Sequence, residues 1–171
     1  MKILKTALII ILILILVYFI IVLLTPPVSK EVAIEIEQPA EEIFNTLTNQ
    51  SNMTKWVPGL VIVKQVSGKP NTIGSVSEFV FEKNGMEIPV LVKINDYQDN
   101  ESMNMTLTYD KLVSDVQIKV IPKGESSKLD ISYKIVGNSL ITKTAMPFIK
   151  QVIKKYSEMD LEELKKLLED S

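Results

Sequence analysis

The 171-residue chain contains no histidine, no cysteine and no arginine. Without histidine it lacks the side chain that titrates near neutral pH and serves as the commonest metal ligand. Without cysteine it forms no disulfide, no thiolate metal site and no lipid-modified thiol. Without arginine it has no planar fork for bidentate capture of a carboxylate or phosphate. The one loop with a glycine–lysine pair, GKPNTIG at 68–74, has no Walker context and reads as a turn. From Val28 onward 17 lysines face 21 acids, a net charge of −4, with no basic stripe and no aromatic–lysine interleaving. Nucleic acid is therefore not expected as a partner. No paired carboxylates fall on an apolar face, and no nucleophile has a base beside it. The expectation is no catalytic residues, no metal and no cofactor, and more a binding protein than an enzyme.

What the chain has is a long apolar run. Positions 7–24, ALIIILILILVYFIIVLL, hold 18 residues without a charge or a helix breaker. At about 1.5 Å per residue this spans roughly 27 Å, close to the ~30 Å hydrocarbon core of a bilayer. The run is longer than a signal-peptide core, and LLTPPVSK offers no Ala-x-Ala cleavage pattern. A retained transmembrane helix over about residues 6–25 is the favoured reading. Lys2 and Lys5 precede it, so the amino terminus is expected in the cytoplasm and the domain on the extracytoplasmic side. The stretch TPPVSKE reads as a linker of about seven residues reaching at most ~25 Å.

From residue 28 to 171 the pattern is that of one α+β domain, expected as a monomer. EVAIEIEQ alternates, with Val32, Ile34 and Ile36 on one face. Pro39 then opens a short helix whose Glu41 and Glu42 suit its positive end and whose apolar side is Ile43, Phe44 and Leu47. From Leu60 to Val136 six further runs of period two follow, with Asn84-Gly85 a strong hairpin signal. The period lengthens after Ser139, where Ile141, Ala145, Ile149, Val152, Tyr156, Leu161, Leu164 and Leu168 describe an amphipathic helix. Pro147 lies inside it, which predicts a start after that residue or a kink.

Three segments carry a family resemblance. They are EVAIEIEQPAEEIFNTLTNQSNMTKWVPG at 31–59, the Gly74-Ser75 opening of the third strand, and the closing LEELKKLLE. Together they resemble the START-type helix-grip superfamily, also termed SRPBCC or polyketide cyclase/dehydrase-like, over residues 31–170. The resemblance implies a curved seven-stranded antiparallel sheet wrapped on a long C-terminal helix, with two short helices after the first strand. It also implies a hydrophobic small molecule or lipid held between sheet and helix. Enzymes of the group share no fixed polar motif, so no catalytic role transfers to a residue of this chain.

A sheet gripped by one helix leaves a space that side chains need not fill, and such spaces hold apolar ligands. Candidate lining residues follow from the faces. Phe44 comes from the first short helix. Trp56 stands before Pro58-Gly59 as a wedge that is either core or cavity wall. Phe79 and Phe81 share one strand face, and Met103, Met105 and Tyr109 share a neighbouring one, an adaptable surface for a greasy ligand or ordinary core. Tyr109 and Tyr133 both project inward by alternation, and their hydroxyls need partners. Met146, Phe148, Val152 and Tyr156 come from the long helix. Three functions remain open on these residues: a membrane-tethered binder or carrier of a hydrophobic molecule, an interaction module with a closed core, and a cyclase/dehydrase-type enzyme.

Overall fold

The computed structural model describes residues 2–169. Helix α1 (Lys2–Leu23) leads into β1 (Val28–Ile36), α2 (Ala40–Thr48), α3 (Gln50–Trp56) and β2 (Leu60–Ser67). The strands β3 (Val76–Lys83), β4 (Met86–Gln98), β5 (Ser102–Tyr109), β6 (Leu112–Lys123) and β7 (Ser126–Gly137) follow, and α4 (Leu140–Glu169) closes the chain. The expected α+β helix-grip architecture is present: seven strands form one curved antiparallel sheet in the order β1-β7-β6-β5-β4-β3-β2.

Local chemistry explains the turns. Asn84 and Gly85 both take positive φ (53° and 75°) between Lys83 and Met86, as the tight primed hairpin turn demands. A bulge at Ile94/Asp96 shifts the alternation of β4 by one residue. Tyr97 therefore joins the inner face beside Ile94, where strict alternation would put Asp96. There its ring meets Phe44 edge-on at 5.5 Å. Burial, and then the nearby Asp99 carboxylate, push the Tyr97 hydroxyl above its usual pKa.

The long helix starts where its period begins, and not after the proline. It begins seven residues before Pro147, at Leu140, and runs through the proline without a break. A reciprocal cap explains this: the Thr142 N–H donates to Ser139 Oγ at 3.1 Å and the Ser139 N–H to Thr142 Oγ1 at 3.0 Å. Met146, buried against Val28 and Ile135, holds the helix just before the proline. Ile141 is not on the core stripe; it is 83% exposed.

Gly137 makes that junction possible. A Cβ there would meet Thr142 Oγ1 at 2.7 Å and the Lys143 backbone N at 3.0 Å. Gly137→Ala is expected to push the first turn of α4 off β7 and lower unfolding stability by about 1–3 kcal/mol, measured by chemical denaturation.

The linker is also shorter than the sequence implies. Val28, Ser29 and Lys30 pair with Ile135, Lys134 and Tyr133, so only Leu24, Thr25, Pro26 and Pro27 separate α1 from the sheet. At most ~14 Å of chain links them.

The main core lies at the end of the sheet where β1 finishes. Ile36, Phe44, Leu129, Leu164 and Leu168 are buried together there, so α2 and the last turns of α4 seal that end.

Candidate ligand cavity

Antiparallel register brings inner-face residues of neighbouring strands side by side. Met103, Ile118 and Ile131 form one cross-strand row, and Met105, Val116 and Tyr133 the next. Phe79 and Phe81 on β3 continue the surface, with Ile88 opposite Phe81 on β4. Over this floor stand Leu47 of α2, Met53 and Trp56 of α3, and Leu161 of α4. The hollow, open on one side, measures about 540 Å³, within the ~300–1,000 Å³ range of small-molecule sites.

The α3–β2 connection forms part of the rim. Gly59 takes φ +77°, and its carbonyl accepts from the Glu82 N–H at 2.7 Å. This clamps the Val57-Pro58-Gly59 turn to the end of β3 and holds Trp56 against the sheet. The indole Nε1 of Trp56 is buried and has no hydrogen-bond partner among the described residues. A buried indole N–H left without a partner costs about 1–3 kcal/mol.

Apart from that indole, polar side chains enter the described lining at Tyr133 and, on the rim, at Glu82 and Lys83. No group of three or more acidic, histidine or cysteine side chains that could hold a metal occurs among the described residues. The wall offers shape and apolar contact, and no nucleophile–base pair is among its described residues. A separate groove of about 310 Å³, bordered by Glu31, Lys119, Lys128 and Asp130, is polar and lies on strands β1, β6 and β7.

Of the candidates read from sequence, Trp56, Phe79, Phe81, Met103, Met105 and Tyr133 line this hollow. Four others do not. Phe44 is fully buried in the sealed end against Tyr97, because the first short helix turns its apolar side into the core. Tyr109 has the inward parity but ends β5, beyond the cover of the helices, and is 43% exposed. Met146 packs under the first turns of α4 with Val28 and Ile135. Phe148 stands 71% exposed on the outside of α4. The side chains of Val152 and Tyr156 lie outside the described residues.

The site also includes aliphatic residues that were not singled out: Leu47, Met53, Ile88, Leu107, Val116, Ile118, Ile131 and Leu161. Their signal was present, since most share the inner parity of chosen neighbours.

Residues 27–169 match the model of a family described as polyketide cyclase / dehydrase and lipid transport. The chain belongs to this family. No curated protein matches it. Solved structures resemble it in fold at low identity. A START superfamily protein from Mycobacterium smegmatis aligns at 14% identity and TM-score 0.67 over 83% of this chain and 97% of its own. A conserved protein from Geobacillus kaustophilus aligns at 12% identity and TM-score 0.70, covering 84% and 97%. A Chromobacterium violaceum protein aligns at 17% identity and TM-score 0.66, covering 82% and 96%. Membership of the START-type helix-grip superfamily, implied by the motifs around Pro39 and Trp56, is thereby shown.

Proposed function

We propose that this family member binds a hydrophobic small molecule or lipid in the sheet–helix hollow and does so tethered to a membrane. The observation that carries the binding is the apolar hollow of about 540 Å³ between α3 and the sheet. An apolar occupant of a hollow of that size removes its lining from water and gains dispersion contacts. The family's lipid-transport description supports the same class of occupant.

The tether is α1. Residues Ile3–Leu23 form a helix long and apolar enough to cross a bilayer, almost wholly unburied by the domain. Its last turns are built into the fold, since Val22 is buried and Lys143 Nζ donates to the Leu23 carbonyl at 3.4 Å. A segment removed by processing has no need of such contacts, which favours a retained anchor over a signal sequence. Lys2 and Lys5 before it support an orientation with its start in the cytoplasm and the domain across the membrane.

Native mass spectrometry of the full chain released from detergent is expected to show a co-purified lipid or other apolar adduct. A solvatochromic hydrophobic dye added to the emptied protein should show a blue-shifted emission. Absence of both an adduct and a dye response would overturn the binding proposal.

A further inference from the structure

We infer that the first three turns of α4 are themselves seated in the bilayer beside the anchor, holding the cavity rim on the membrane surface; this rests on α1 being a transmembrane anchor. The depth follows from one hydrogen bond. Ile3–Leu23 is 21 residues, about 31 Å of helix, which matches a ~30 Å hydrocarbon core. Tyr18 stands five residues before Leu23, about 7.5 Å inside that boundary. Its hydroxyl meets Thr144 Oγ1 of α4 at 2.7 Å. Helical side chains lean toward the helix N-terminus, so Tyr18 reaches inward rather than up to the surface. Thr144 therefore lies below the level where α1 leaves the apolar core.

One stripe of α4 fits that depth, while Lys143 turns its ammonium to the Leu23 carbonyl and Lys150 stands at the end of the third turn. Ile141, Thr144 and Phe148 follow at spacings of three and four, one stripe of the helix. Thr144 touches the anchor, so Ile141 and Phe148 flank it, and they are among the most exposed apolar side chains outside α1. The Ser139–Thr142 cap satisfies N–H groups that a low-dielectric surface would leave unpaired. Thr144 Oγ1 also returns a bond to the Leu140 carbonyl at 2.9 Å.

The sheet presents the same end. Because every neighbouring pair is antiparallel, the start of β1, the end of β7, the β5–β6 turn and the β3–β4 hairpin share one edge of the fold. That edge carries exposed Tyr109 and Met86, and the cavity-rim residues Lys83 and Gly59. The sealed core with Leu168 lies at the other end. A phospholipid bilayer, the one the anchor crosses, is the occupant that covers this edge.

The native chain has no cysteine, so single labels are free of background. Ile141→Cys, Phe148→Cys, Leu12→Cys and Ile121→Cys, each in the full chain, would carry a small fluorophore in phosphatidylcholine vesicles with brominated acyl tails. Ile121 is an exposed control beside the β6–β7 turn, at the far end. The expected result is quenching and a blue shift at 141 and 148 approaching those of position 12, with neither at 121. Quenching at 12 alone would overturn the inference and leave the anchor standing. Quenching at none of the four would remove the anchor, and the inference with it.

Discussion

Met105→Glu is expected to weaken binding of an uncharged hydrophobic dye at least about tenfold while leaving the fold intact. Met105 is half-buried on the cavity floor beside Val116, so a glutamate is accommodated when the hollow holds water. An apolar occupant strips that water and leaves the carboxylate without a partner, since lysine enters the described lining only at the rim, as Lys83. Burying an unpaired charge costs several kcal/mol, and each ~1.4 kcal/mol is tenfold in affinity. The sign of the pH dependence is fixed by the same logic. The apolar occupant raises the pKa of the new carboxyl, so affinity recovers as pH falls and the group protonates. Met105→Gln, similar in shape and uncharged, should lose less and show no such recovery. Dye titrations at two pH values measure all three effects, and unchanged binding by the glutamate variant would place the ligand elsewhere.

Phe44→Ala is expected to lower unfolding stability by about 3–5 kcal/mol. The ring is completely buried between α2 and the sealed end of the sheet, with an edge-on partner in Tyr97. Truncation removes transfer energy, opens a void that the close-packed Ile36, Leu129 and Leu164 do not readily fill, and forfeits the ring pair. Total stabilities are commonly only ~5–15 kcal/mol, so this one change removes a large share. A melting temperature lower by roughly 6–20 °C follows for a domain of this size. Phe148→Ala, at an exposed position, should stay within about 0.5 kcal/mol of the parent. Thermal unfolding of the two variants in the same detergent compares them directly, and equal losses would contradict the burial described here.

Those two phenylalanines show where sequence reading stopped. Both were plausible cavity residues by type and by helical spacing, and neither lines the cavity. A period of 3.6 specifies that a helix has an apolar side. It does not say whether that side meets core, hollow or membrane, because that depends on what stands opposite. Tyr97 shows the same limit in a strand. Strict alternation sends Asp96 inward, and a one-residue bulge exchanges it for Tyr97. Nothing in INDYQ announces the bulge.

The short Pro39 helix was legible, and so was the wedge that Trp56 forms before Pro58-Gly59. There the backbone chemistry of proline and glycine and the size of one aromatic ring act locally. The order of elements and the seven strands were legible for the same reason, since period and turn chemistry are local properties of the chain, and the family through the motifs at 31–59, Gly74-Ser75 and LEELKKLLE that resemble it. Only the tertiary structure decided which apolar faces meet one another and which remain apart. It set the rows of Met103 and Met105 beside a hollow, Phe44 in the sealed end, and Ile141 and Phe148 on the exposed side of α4. Apolar attraction has no direction of its own, so long-range packing and register assign each greasy side chain its neighbour.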